Sequence, residues 1–179
     1  MKFISKIVLL SLITLTVACS GAKKVTTNNT SSSNSLYPAW YGSYEFSSDS
    51  SSFTSRATAV AGDSETAKLR AEKEARALLE SYIAKELEDI RSELERDGSE
   101  VVKKPDFILL LRNAHVKIEE GAIVAHSEAA QNEGVYRGFA RVEISKKEVH
   151  GFIENGFNSK KAYQREFMTS QSFKEFVGN

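Results

Sequence analysis

Cysteine is nearly absent. Cys19 is the only one in 179 residues, so no disulfide can form within the chain and its core must hold without such staples. Proline occurs only twice, at Pro38 and Pro105, which leaves a long stretch free of backbone breakers. Neither charge sign prevails, with 24 Lys and Arg against 24 Asp and Glu, and the basic footprint of a nucleic-acid-binding protein is missing. The apolar stretch 7–15 is also too short to cross a bilayer as a helix, which takes about 20 residues.

That stretch has another reading. Lys2 and Lys6 precede it and the small residues Val17 and Ala18 follow, so residues 1–18 read as a secretory signal peptide. Val17, Ala18 and Cys19 resemble the bacterial lipoprotein-processing motif, with Thr16 where leucine is usual and Leu15 one place earlier. The resemblance implies that the Cys19 thiol is acylated and becomes the first residue of the mature chain. It implies more than one acyl chain, enough for stable anchoring at about 0.8 kcal/mol per buried methylene. The alternative, a secreted protein with a free thiol, leaves an odd cysteine without a partner in an oxidising compartment. Ser20 stands where Asp would signal inner-membrane retention, so the same resemblance implies lipid anchoring at the cell outer membrane.

Residues 19–36 follow as the lipidated cysteine and a Ser/Thr/Asn tether. Almost free of large apolar groups, the tether cannot recoup the entropy of ordering, and it is expected to hold the domain on the order of 20 Å from the lipid. Aromatic residues then crowd together: Tyr37, Trp40, Tyr41, Tyr44 and Phe46, with Trp40 the only tryptophan. This segment is expected to pack on the domain, the alternative being an exposed binding patch centred on Trp40 and Tyr41. Residues 47–52 loosen the chain again.

Residues 53–61 alternate, with Ala57, Ala59 and Ala61 on one small-residue face, and predict a strand. Asp63 or Ser64 caps a helix predicted over 64–97, in which Ala67, Ala71, Ala75, Leu78, Tyr82, Ile90 and Leu94 form an apolar stripe widened by Leu79, Ile83 and Leu87. Such a helix is about 50 Å long, against a radius of gyration of about 14 Å for a globule of this size. Its charged distal part carries a narrow seam of Leu87, Ile90 and Leu94, expected to meet a partner helix unless the following chain folds back over it. Pro105 and Asp106 open a second helix ending at Gly121, strands are predicted at 122–129 and 135–144 around a turn at 131–134, and Ser145 with Glu148 forms a capping box for a third helix. The remainder is helical in pattern around Tyr163, Phe167, Phe173, Phe176 and Val177, with Gly151 and Gly156 dividing it.

This order predicts a two-layer α+β domain: a small, antiparallel-containing sheet of about three strands packed against a long helix, with additional C-terminal helices. Residues 37–150 form the domain and 151–179 a C-terminal helical tail. The Pro-x-Trp element at Pro38 and Trp40, the Ala67, Ala71, Ala75 spacing and the final strand followed by Lys146, Lys147 and Glu148 resemble the LPP-twenty type of bacterial outer-membrane lipoprotein family. Its members include flagellar basal-disk lipoproteins and surface antigens that assemble through their edges, so the resemblance implies a structural role in the envelope.

No catalytic chemistry emerges. His115, His126 and His150 are spaced unlike a metal centre, no nucleophile-elbow pattern sits between strand and helix, and Glu119 with Glu120 suits a solvated helix end. Gly62, between strand and helix, lacks the rest of a phosphate-binding fingerprint. The expectation is a non-enzymatic envelope lipoprotein without a cofactor, metal or small-molecule substrate. Its partners are the membrane, through lipid on Cys19, and copies of itself or an envelope protein complex, through Leu87, Ile90, Leu94 and the sheet edges. The alternative is a monomeric lipoprotein that binds a ligand or partner through Trp40 and Tyr41.

Overall fold

A strand with one small face needs a helix that can lie close against it, and the chain supplies one immediately. In the computed structural model, which describes residues 37–178, the strand β2 (Ser52–Ala61) is followed by the helix α1 (Ser64–Arg96), started by Asp63, whose carboxylate accepts from Thr66 N at 2.8 Å. Ala67, Ala71 and Ala75 are fully buried beneath the sheet, and the Ser55 hydroxyl donates to the Ala75 carbonyl at 2.6 Å. Across the same face, Gly138 leaves no space for a side chain, since a Cβ there would stand 2.1 Å from the Ala67 carbonyl oxygen.

The remaining elements are a short β1 (Phe46–Ser48), α2 (Pro105–Gly121), β3 (Ile123–Asn132), β4 (Val135–Ser145), α3 (Lys146–Gly156), α4 (Lys161–Met168) and α5 (Gln171–Val177). The four strands pair antiparallel in the order β1-β2-β4-β3, so the two-layer α+β class holds with one strand more than expected. That strand is β1. Its three residues pair with Phe53, Thr54 and Ser55, and Phe46 stacks on Tyr82 of α1 with ring centroids 3.5 Å apart. Between β3 and β4 the turn is only Glu133 and Gly134, with φ of 49° and 85°. Positive φ at both central positions matches the right-handed twist of the strands, and glycine supplies the second at no steric cost.

Phe53, Ala57, Ala140, Val142 and Ile144 meet α1 in the core. Beyond the sheet the core continues as an aromatic cluster: Phe107 stacks on Phe157 at 4.9 Å and meets Phe167 at 5.8 Å, and Phe173 lies 5.3 Å from Phe167. Phe176 then returns to the sheet, 4.7 Å from Phe53. The helices after residue 150 therefore share the core of the sheet and α1, and the described residues fall within one compact unit. Gly156 ends α3 against α2, where a Cβ would stand 2.7 Å from that of Ala114, while Gly151 lies within the helix and does not divide it. The expected signal peptide, Cys19 and the expected tether lie outside the described residues.

Candidate interaction surface

The distal seam of α1 is closed by its own chain. Leu87 and Ile90 are 2% and 3% exposed and Leu94 is half-buried against the core. This corrects the expectation that the three present themselves to a partner helix. The physical reason is the aromatic cluster of α2 to α5, which extends the core beyond the sheet and covers the part of α1 that a sheet of this width cannot reach. Near the end of α1, Arg91 shares its guanidinium between Glu88 at 2.6 Å and Glu95 at 2.9 Å of the same helix, and these carboxylates hold its pKa above the ordinary arginine value.

Of the two sheet faces, α1 covers the one containing Gly138, Ala140 and Val142, and the aromatic segment lies on the other. In register across β2, β4 and β3 that outer face carries Thr58, Phe139 and Glu128, flanked by Arg56, Arg141 and His126. Phe139 is fully buried there, with Tyr37 at 5.4 Å and Tyr41 at 5.3 Å edge-on to its ring. Trp40 reaches further, stacking on His126 at 5.1 Å and donating from Nε1 to Glu128 at 2.8 Å. Burial and the nearby Glu45 push the Tyr41 phenol above its usual pKa. Trp40 and Tyr41 thus pack on the sheet, as an amphipathic cap over Phe139, and are not a free patch.

Two edges bound this sheet. At one end β1 shields part of β2, and Arg70 Nη1 donates to the Val60 carbonyl at 3.3 Å. At the other end β3 has no neighbour among the described residues. Lys146 N donates to the Ser51 carbonyl and Arg56 N to the Glu45 carbonyl, which fixes the alternation of backbone groups through the sheet. His126 and Glu128 therefore direct their amides and carbonyls to β4, while Ser127 and Ala129 direct theirs outward. A register shift between Val124 and His126 kinks the start of the strand, so the regular part of the open edge runs over 126–132. A bulge is one device by which an edge is kept from pairing, and here it spares the part after it.

Among the described residues no group of His, Cys, Asp and Glu could hold a metal ion. His115 faces the Glu80 carbonyl at 3.3 Å, His150 lies 6.0 Å from Phe173, and His126 is under Trp40, so the three histidines stay apart. Glu120 pairs with Lys117 at 2.6 Å on the helix surface, and Gly62 is a bend. No described helix is long and apolar enough to cross a membrane. Comparison with known proteins finds no matching family profile, curated protein or solved structure.

The period-two spacing of His126 and Glu128 is legible in the sequence as a shared face. Their position on an open edge was missed, because it depends on β3 closing the order after β4.

Proposed function

We propose that this chain is a lipid-anchored assembly module of the cell envelope, held at the outer membrane by acylated Cys19 and joined to a second copy along the open edge of β3. The resemblance to LPP-twenty type lipoproteins supports the envelope setting, and no reaction is assigned. With Leu87 and Ile90 inside the chain's own core, the sheet edge is the surface left to carry association.

One observation carries the choice of a second copy: His126 and Glu128 flank Ser127, whose backbone faces outward. In a two-fold antiparallel pairing centred on Ser127, the two Ser127 residues exchange N–H···O bonds. His126 of each copy then stands opposite Glu128 of the other. These two positions form the closer, non-hydrogen-bonded kind of cross-strand pair, with Cα atoms about 4.5 Å apart, and a favourable side-chain pair at such a position contributes about 0.2–1 kcal/mol. The edge is self-complementary at that register, an imidazole meeting a carboxylate on each side of the two-fold axis.

Two measurements test the reading. Membrane fractionation should place the wild type with the outer membrane and release Cys19→Ala to the soluble fraction. Light scattering on residues 20–179 over a dilution series should give a mass above that of one chain. A soluble wild type would sink the anchor, and a monomer at every concentration would sink the association.

A further inference from the structure

Helix α2 is apolar on both sides. Phe107, Leu111, Ala114 and Ile118 bury its inner stripe in the core. On the side turned away from them Leu109 is 57% exposed and Val116 42%, with Ile108 at 43% beside them. Leu109 and Val116 stand seven residues apart, two turns of helix, so they share one face about 10 Å apart along the axis. A surface helix ordinarily carries polar residues there. No other described helix exposes more than one large apolar side chain.

The polar groups around this face are mostly basic. Arg112 and Lys117, both exposed, fall on its two flanks at the helical spacing. At its N-terminal end two helices begin on lysine. Lys104, after Lys103, is the N-cap of α2, and Lys160, before Lys161, is the N-cap of α4, neither with a side-chain cap bond. The positive end of a helix favours an acid or a hydroxyl, so lysine is unfavourable at both starts. The two starts also converge, since the Lys104 and Lys160 ammonium groups lie 5.8 and 5.7 Å from the centre of the Tyr163 ring. Asp106 stands among them, taken up by the Tyr163 hydroxyl and Lys160. Lys103 with Glu100 and Lys117 with Glu120 are exposed pairs of the kind that contributes little, and Glu119 and Glu120 lie at the far, C-terminal end of the helix.

We propose that the outer face of α2 lies on an anionic phospholipid surface, with Leu109 and Val116 entering the acyl boundary and the surrounding cations meeting headgroup phosphates. Helices that lie in a bilayer interface combine these two features, apolar side chains facing the lipid and Lys or Arg beside them, and each basic residue near an anionic surface adds to the attraction. The setting rests on the lipid-anchored reading: acylated Cys19 confines the domain near lipid and so amplifies a contact that is modest in the free protein. The test omits the acyl chain, which makes failure of the anchor and failure of this contact separate results.

Residues 20–179, which contain every described element of the fold, are mixed with vesicles of phosphatidylcholine alone or of phosphatidylcholine with phosphatidylglycerol, and the co-sedimenting fraction is followed against lipid concentration. The wild type should bind the vesicles that contain phosphatidylglycerol, in preference to the neutral ones, and be released by high salt. Leu109→Ser with Val116→Ser, and separately Arg112→Gln with Lys117→Gln, should each weaken binding at least about fivefold. All four side chains are exposed, so the fold should survive, and thermal unfolding checks that it does. Lys73→Gln with Lys85→Gln makes the same change of charge on α1 and should leave binding unchanged. No binding of the wild type to anionic vesicles, equal binding by wild type and the α2 variants, or equal weakening by the α1 pair overturns the proposal.

Discussion

Trp40 lies nearly parallel to His126, with ring centroids 5.1 Å apart and planes 20° from each other. Its Nε1 also donates to Glu128, so one side chain from before the domain's first strand grips both residues that flank Ser127 on the open edge. The aromatic cap and the edge strand are thereby one structural unit. Trp40→Ala should remove a stacked contact and a charge-assisted hydrogen bond, lowering unfolding free energy by about 1–3 kcal/mol. Urea unfolding measures that loss, and faster proteolysis near Tyr41 should accompany it. An unchanged midpoint would detach the cap from the fold.

Gly138→Ala should be among the most damaging single changes. The added Cβ would meet the Ala67 carbonyl at 2.1 Å and the Lys68 nitrogen at 2.7 Å, both backbone of the packed helix α1. Overpacking of this kind costs about 1–3 kcal/mol and occasionally more, and because the atoms met are helix backbone, which cannot turn aside, the upper end is expected. Thermal unfolding of Gly138→Ala beside Ala129→Gly, its cross-strand neighbour on β3, would separate this effect from a general sensitivity of the hairpin.

Leu87→Ala and Ile90→Ala distinguish a core from an interface. Each should lower stability by about 2–5 kcal/mol through cavity formation while leaving the mass in solution at a given concentration unchanged, provided the protein remains folded. A fall in mass with little change in unfolding free energy would return these residues to the role of partner contacts.

Asp49 closes the turn between β1 and β2. The Ser51 and Ser52 amides donate to its carboxylate and hold its pKa down at about 2, against the ordinary 3.8. A depressed folded-state pKa stabilises the fold fully above the unfolded value, and the contribution is lost as pH falls from there through the folded value. The stability gap between wild type and Asp49→Ala should therefore be constant above about pH 4 and close progressively between pH 3.8 and about 2. Because the group is exposed, the gap should be small. A gap independent of pH would remove the carboxylate from the account.

The elements that were legible in the sequence are those whose pattern repeats. The alternation through Ala57, Ala59 and Ala61 and the stripe from Ala67 to Ile90 need only local period to be read, and the capping box at Ser145 and Glu148 is a local motif. β1 escaped because three residues, two of them serine, have no period to show; pairing with β2 and the stack of Phe46 on Tyr82 make it a strand. The seam of Leu87 and Ile90 was visible but its cover was not, since Phe107 of α2 meets Phe157 and Phe167, and Phe173 beyond them, only after the β3–β4 hairpin has intervened in the chain. The same holds for Trp40, whose partner Glu128 lies 88 residues away.

The most direct test of the central claim is a cysteine-pairing experiment at the β3 edge. Two proteins are prepared in a Cys19→Ala background, one carrying His126→Cys and the other Glu128→Cys, then mixed under mild oxidation. The two-fold register places one thiol opposite the other at about 4.5 Å between Cα atoms, within the range a disulfide spans, and leaves one His126–Glu128 pair intact across the contact. A covalent dimer that forms in the mixture and not in either protein alone is the predicted result. No dimer in the mixture, or equal cross-linking of each protein with itself, would contradict pairing of two copies at Ser127.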